Sequence, residues 1–102
     1  MLPLDFHPLV EADLTDSAEW YARQEAGLDE RFLEESRQQL DALPGTALLY
    51  AVRFGDIRRM NLPLFKHGIF YFVTDKAIVV LGILHGSRDS KAELQRRRKR
   101  YG

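Results

Sequence analysis

The chain of 102 residues contains no cysteine, so disulfides, a thiol nucleophile and cysteine-bound zinc are all excluded. Its longest apolar run, residues 77–84, is eight residues long, whereas a membrane helix needs about 20. The N-terminus lacks both the basic region and the apolar core of a signal peptide. These absences predict a cytoplasmic protein. The composition, 45% hydrophobic and 29% charged, predicts one folded domain over residues 1–102.

A net charge of zero conceals a strong separation of charge along the chain. Residues 1–42 hold eleven acids and three bases, whereas residues 43–102 hold four acids and twelve bases. The basic half is therefore where we expect contacts with a polyanion or an acidic protein. The alternative is that the two halves neutralise each other when the chain folds.

The first half has the pattern of a short strand followed by two helices. Residues 2–6 alternate in polarity and predict the strand. Apolar residues then recur at spacings of four, four and three, which predicts one buried helical face: Val10, Leu14, Ala18 and Tyr21. Gly27 is expected to stop this helix, and Pro44-Gly45 is expected to end a second one. The two helices are predicted to form an antiparallel hairpin.

The second half predicts strands at residues 48–54, 57–62, 69–73 and 77–84, and then a short helix within residues 89–101 capped by Asp89 or Ser90. The expected element order is β-α-α-β-β-β with a basic tail at residues 96–102, which counts three strands after the helices where the pattern offers four segments. Helices segregated from a run of strands define the α+β class. We therefore expect a short first strand and a helical hairpin packed on a small antiparallel sheet.

No metal or cofactor site is expected. The three histidines, His7, His67 and His85, are scattered, and neither a paired-histidine zinc motif nor a phosphate-binding glycine loop is present. His85 follows the most apolar strand. It is either a polar group presented to a ligand or a strand-ending histidine bonded to backbone.

Three arginines on or near the predicted strands are candidates for partner contacts: Arg53, Arg58 and Arg59. Neighbouring residues of a strand face opposite ways, so Arg58 and Arg59 are expected on opposite faces of the sheet. One of the two is expected to pair with a carboxylate of the helices, and the other to remain available to a partner.

The basic tail adds five consecutive cations as partner-binding candidates: Arg96, Arg97, Arg98, Lys99 and Arg100. The alternative is a solvated end of the chain. We expect the core to survive deletion of residues 96–102. Trp20 lies at the margin of the first helix's apolar face, where a partner could cover it.

Four segments together resemble the RelE/ParE superfamily of bacterial toxin–antitoxin modules: GLDERF at 27–32, IRRM at 57–60, FKHGIFYFV at 65–73 and ILHGSRD at 83–89. The resemblance implies a small sheet that carries a helical hairpin, and an antitoxin that wraps the toxin. It also implies a target. ParE-like members inhibit DNA gyrase, whereas RelE-like members cut mRNA in the ribosome.

The resemblance favours the ParE-like branch, a binding protein without chemistry of its own. For the nuclease branch it implies basic positions at Arg59 and Arg88, and either His85 or His67 could act as the base. Three other positions lack the group that this branch expects: Asn61, Gly68 and Leu94. Two alternatives remain open beside gyrase inhibition: a metal-independent mRNA endoribonuclease, and an inactive toxin-fold binding module.

Overall fold

The computed structural model describes residues 1–86 and 90–102, which build a five-stranded sheet with helices on both faces. The strands are β1 (Leu4–Phe6), β2 (Val52–Phe54), β3 (Ile57–Asn61), β4 (His67–Val73) and β5 (Ile78–His85). The α-helices are α1 (Val10–Gln24), α2 (Leu28–Thr46) and α3 (Lys91–Arg98), and 3₁₀ turns cover Ala47–Leu49 and Lys99–Tyr101. The predicted α+β class is confirmed. No helix in the described ranges has the length and apolar character to cross a membrane.

The sheet has the strand order β1-β5-β4-β3-β2. The strands β2 to β5 are antiparallel neighbours, as predicted, while β1 joins β5 in parallel, with Leu4 opposite Ile78. The hairpin carries the chain from β1 to β2 at the opposite edge of the sheet, and the later strands then return to β1, so the two parallel neighbours are joined by a long connection. Both edge strands, β1 and β2, are only three residues long.

The helical hairpin covers one face of the sheet. Gly27, at a φ of 86°, makes the turn between α1 and α2 in a conformation that favours glycine. The buried side chains of the hairpin are Val10, Ala18, Tyr21, Phe32 and Leu43, and they pack on Met60, Ile69, Tyr71 and Val80 of the sheet. The prediction that Pro44-Gly45 ends α2 is wrong, because the helix continues to Thr46. Pro44 lies in the last turn, where it removes only one helical hydrogen bond.

The segment before β3 departs from the predicted strand over residues 48–54. It forms the 3₁₀ turn Ala47–Leu49 and then the short strand β2. The Tyr71 hydroxyl donates to the Ala47 carbonyl at 2.5 Å, and Arg58 Nη1 donates to the Tyr50 carbonyl at 2.6 Å. The Ala47 and Tyr50 carbonyls are thus bonded to side chains and not to a neighbouring strand. The 3₁₀ turn takes the place of the first half of the predicted strand.

The other face of the sheet carries α3. Leu94 of this helix is fully buried and packs in a cluster with Phe70, Phe72, Val79 and Leu81. An extra residue in β5 shifts the register opposite Phe70 and Tyr71, so Ile83 and Leu84 continue the two clusters on opposite faces. The basic tail is therefore largely part of the folded domain.

A buried ion pair fastens α3 to α1. Arg97 Nη1 and Nη2 donate to Asp13 Oδ2 and Oδ1 at 2.7 and 3.1 Å, and both side chains are 8% exposed. The same groups also bond to β5 beyond the end of β1, since Asp13 accepts from the Ile83 N–H at 3.1 Å and Arg97 donates to the Leu81 carbonyl at 2.9 Å. The ion pair thus supplies hydrogen bonds to the part of β5 that extends past its last paired residue of β1.

Candidate functional site: a cationic cleft at the sheet edge

A cleft of about 240 Å³ opens over β2, β3 and the middle of β4, and it is bounded by the end of β5 and the start of α3. We call it the cationic cleft because its basic lining residues are Arg53, Arg59, His85 and Lys91; Phe54 and Phe70 form its apolar wall. No carboxylate lines the cleft within residues 1–86 and 90–102. A concave surface with several basic groups and no acid attracts anionic groups.

Arg59 crosses the cleft over two glycines. A Cβ atom at Gly68 would lie 2.4 Å from Arg59 Nε, and one at Gly86 would lie 2.6 Å from Arg59 Nη2. The absence of side chains at these positions leaves the space that the guanidinium group occupies. Its central carbon lies 5.3 Å from the centroid of the Phe70 ring, within the range of a cation–π contact.

The Arg59 guanidinium is incompletely satisfied. Its Nε atom is buried and has no hydrogen-bond partner in the described part of the chain. Burial lowers the pKa of Arg59, and the neighbouring charge of Arg53 lowers it further. Arg53 is exposed and forms no ion pair with any residue that the structure describes. Two cations therefore lie near each other, and none of residues 1–86 and 90–102 places a carboxylate in the cleft to relieve their repulsion.

His85 lies at the end of β5, where its ring contacts that of His67 edge to face with centroids 5.2 Å apart. His67 is 4% exposed; its Nδ1 bonds to the Tyr21 hydroxyl at 3.1 Å and its Nε2 to Ser17 Oγ at 2.9 Å. Burial is the main reason that its pKa falls to about 4, with His85 and Arg59 lowering it further. His67 is therefore a neutral structural group, and His85 is the histidine that lines the cleft.

The predicted basic residues thus separate into different environments. Arg58 and Arg59 lie on opposite faces of the sheet, as expected from strand alternation: Arg58 pairs across from Tyr71 and Arg59 from Phe70. The expectation that one of them pairs with a helix carboxylate is wrong, because Arg58 donates to the Tyr50 carbonyl instead. Arg88, the other basic position of the nuclease alternative, lies outside the described residues.

The five cations of the basic tail also differ in burial and in pairing. Arg97 is buried against Asp13, so deletion of residues 96–102 would leave a buried carboxylate without its cation, and survival of the core stays an untested prediction. Arg98 pairs with Asp56 at 2.9 Å and lies 3.7 Å above the Phe72 ring. Arg96 is exposed and pairs with Glu93 one turn earlier, and the remaining two, Lys99 and Arg100, are exposed.

Trp20 is 46% exposed and packs edge to face on Tyr21, with ring centroids 5.0 Å apart. It lies at the margin of the buried face, as the spacing predicts, and its role in partner binding stays a prediction.

Three features of the site were missed by sequence reasoning. Lys91 lines the cleft because α3 begins beside it, which the sequence pattern alone does not indicate. Gly68 and Gly86 make room for Arg59, and only the register of the sheet reveals this. Leu48 and Leu49, interpreted as strand residues, are 68% and 80% exposed.

The same fold occurs in a solved structure described as the chromosomal ParDE TA system from P. aeruginosa. The TM-score is 0.69 at 21% sequence identity, with 83% of this chain and 96% of that chain covered. The sheet and hairpin therefore share the α+β fold of that chain. No curated protein matches the sequence.

The family is shown by the sequence itself. The model of the ParE toxin of the type II toxin–antitoxin system parDE matches residues 4–90. The chain belongs to this family and is the toxin component of a type II toxin–antitoxin module. The resemblance to the RelE/ParE superfamily and the preference for its ParE-like branch are confirmed, and the family implies a cognate antitoxin as partner.

Proposed function

We propose that this toxin inhibits DNA gyrase by binding it, and that direct binding of its cognate antitoxin neutralises it. The observation that carries the proposal is the match of the ParE toxin family over residues 4–90. ParE-like toxins act on gyrase, as the resemblance implies, so the target is transferred from the branch to which the chain belongs.

The geometry supports an action without RNA cleavage. Cleavage at a ribose 2′-hydroxyl needs a base, an acid and cations around the phosphate. The resemblance places the tyrosine of the nuclease branch near Leu94, which is fully buried and has no proton to transfer. It places a strand arginine at Gly68, where the space that a side chain would need is filled by the Arg59 side chain.

One observation favours mRNA cleavage as a second candidate. Arg59 and His85, which the resemblance assigned to the nuclease alternative, line the same cleft. A cation and a neighbouring imidazole are two of the groups that such a reaction requires. The experiment therefore also tests mRNA cleavage.

Two assays with purified toxin separate the candidates. We expect gyrase supercoiling of relaxed plasmid to fall as toxin is added, and message in a translation extract to stay intact. Toxin mixed beforehand with the protein encoded by the adjoining reading frame should leave supercoiling unaffected, because the complex hides the toxin surface. Cleaved message together with full supercoiling would overturn the proposal.

A variant of the cleft sharpens the result. If message is cleaved, Arg59→Ala should slow cleavage by 10²- to 10³-fold, because it removes a cation that stabilises the transition state. If neither assay responds to the wild-type toxin, the inactive binding module is the remaining alternative.

A further inference from the structure

The cationic cleft combines positive charges with aromatic rings. Phe54 is half-buried and Phe70 is buried, and both line the cleft together with Arg53 and Arg59. Sites that hold a single nucleic-acid strand use the same combination, because cations meet the phosphates of the strand while aromatic rings stack with its bases. The lining of the cleft therefore favours a nucleic-acid strand as its ligand.

The cleft is large enough for only a small part of such a strand. Its volume of about 240 Å³ is below the roughly 300 Å³ at which sites for whole small ligands begin. In a double helix the bases are stacked and paired, so a base must leave the stack before it can enter a pocket. A phosphate with one unstacked base therefore matches the cleft, and a single strand supplies this unit.

Two arginines of the cleft carry charge that the described residues do not neutralise. Arg53 is exposed, and neither Arg53 nor Arg59 forms an ion pair within residues 1–86 and 90–102. The buried Nε atom of Arg59 also lacks a hydrogen-bond partner among these residues. A phosphate group accepts two hydrogen bonds from one guanidinium group, and its charge would offset the repulsion between the two arginines.

The Arg59 side chain is held in place before a ligand binds. Gly68 and Gly86 leave the space that it occupies, and its guanidinium carbon lies 5.3 Å from the centroid of the Phe70 ring. A group that is positioned in advance loses little conformational entropy when it binds. Arg59 is therefore a preorganised donor for a phosphate group.

We propose that, when the toxin is bound to gyrase, the cationic cleft holds a phosphate and an unstacked base of a single DNA strand. The inference rests on the proposed inhibition of gyrase and deepens it: gyrase acts on DNA, and the toxin then contacts the DNA as well as the enzyme. Arg53 and Arg59 bind the phosphate, and the base stacks on Phe54. The contact is binding alone, so it requires none of the proton transfers of mRNA cleavage.

The first measurement is the affinity of the full-length toxin for a fluorescent single-stranded DNA oligonucleotide, followed by anisotropy. Phe54→Leu removes the stacking ring and Arg53→Gln removes a phosphate contact, and we expect each to raise Kd by about fivefold or more. Arg53→Gln should also reduce the slope of log Kd against log salt by about 0.7, the value for one phosphate contact with a single strand. The matched controls, Phe6→Leu on the other edge strand and Arg23→Gln on the exposed side of α1, should bind as wild type does.

The second measurement compares the affinity of the toxin for gyrase alone with its affinity for gyrase on a DNA duplex that contains a single-stranded gap. Wild-type toxin should bind the DNA-loaded enzyme about fivefold or more tightly, because the strand adds a stacking and a phosphate contact. In Phe54→Leu and Arg53→Gln the ratio of the two Kd values should fall towards one, whereas the two control variants should keep the wild-type ratio. Unchanged far-UV circular dichroism shows that each variant is folded.

The other outcomes contradict the inference in distinguishable ways. If DNA leaves the affinity for gyrase unchanged, or if both cleft variants bind the oligonucleotide as wild type does, the DNA contact is overturned while the inhibition of gyrase stands. If the toxin binds the oligonucleotide through the cleft but does not bind gyrase, the proposed target and the DNA contact on gyrase are both wrong. If an RNA oligonucleotide of the same sequence binds about tenfold more tightly than the DNA, the cleft serves RNA and its assignment to DNA is wrong.

Discussion

Arg97 and Arg59 both extend over a glycine of the central strands, yet their surroundings are opposite. Arg97 lies over Gly82 and is fully engaged by Asp13, by Glu93 and by the Leu81 carbonyl. Arg59 lies over Gly68 and Gly86 with a buried Nε atom that has no partner in the described residues. The same device, a glycine that makes room for a guanidinium group, thus occurs once with complete pairing and once without.

The difference separates a structural cation from a candidate binding cation. Burying a charge is costly unless it is paired and hydrogen-bonded, and Arg97 meets that condition. Arg59 does not, so its position adds little to stability and leaves hydrogen-bonding capacity for a partner. Substitutions at the two sites should therefore affect different measurements, and four predictions test this contrast.

The largest effect is expected at the paired arginine. Arg97→Ala leaves the Asp13 carboxylate buried without its cation, so we expect the free energy of unfolding to fall by about 3–5 kcal/mol in urea titrations. Arg96→Ala is the matched control, because Arg96 is exposed and its pair with Glu93 should contribute under about 0.5 kcal/mol. Equal losses in the two variants would contradict the assignment of Arg97 to the fold.

His67 extends the contrast to a buried group that is paired and neutral. It binds a proton near pH 6.5 in the unfolded chain and near pH 4 in the folded protein, because burial lowers its pKa. The unfolded state then binds more protons, so stability should decrease by up to about 3 kcal/mol as the pH falls from 6.5 to 4. Urea unfolding at several pH values should show a steeper loss for wild type than for His67→Gln, and identical slopes would exclude His67 as the cause.

Substitutions of Gly82, which lies beneath Arg97, and of Gly68, which lies beneath Arg59, test the same contrast between the two arginines. A methyl group at Gly82 would lie 2.8 Å from Arg97 Nη1 and 3.2 Å from Asp13 Oδ2, both held by their ion pair. We expect Gly82→Ala to destabilise the protein by about 2–3 kcal/mol, the cost of an overpacked core. Gly68→Ala should cost about 1 kcal/mol less, because the Arg59 side chain forms no ion pair with the described residues that would be lost when it moves aside. Thermal unfolding of the two variants gives the comparison, and a larger loss for Gly68→Ala would reverse it.

The smallest effect on stability is expected at Arg59 itself. Arg59→Met removes a buried N–H that has no partner among the residues the structure describes, so the free energy of unfolding should stay unchanged or rise by up to about 1 kcal/mol. Arg58→Met serves as control on the same strand; it loses the bond to the Tyr50 carbonyl and should be destabilised by about 1 kcal/mol. A marked loss of stability in Arg59→Met would show that Arg59 is bound within the fold after all.

The class of the fold was predictable because it depends on local periodicity. The hairpin and the central strands β4 and β5 follow from apolar spacing and from Gly27, each visible in a short window of sequence. The parallel pairing of β1 with β5 was not predicted, because it depends on which way a long connection returns.

The ion pair between α1 and α3 was only half visible. Asp13 falls between Val10 and Leu14 on the buried face of α1, and this spacing could have marked it as an inward carboxylate. Its partner could not be chosen among five consecutive cations, since that choice depends on how α3 lies on the sheet.

The sequence allowed the basic residues of the cleft to be named, but it did not show that they lie together. Strand alternation correctly put Arg58 and Arg59 on opposite faces, and Arg53, Arg59 and His85 were singled out from their types. Their meeting in one cleft depends on the register of three strands, and the exposed leucines depend on bonds from Tyr71 and Arg58 that override strand propensity.

The bond between Asp13 and Arg97 also governs when the toxin can finish folding. The two residues are separated by 84 positions, so a ribosome adding about 5–20 residues per second makes Asp13 roughly 4–17 s before Arg97. Throughout that interval the Asp13 carboxylate lacks its cation, and once β5 is made the Leu81 carbonyl still waits for the donor that Arg97 supplies. A newly made chain therefore completes the hydrogen bonds between α1, β5 and α3 only near the end of its synthesis.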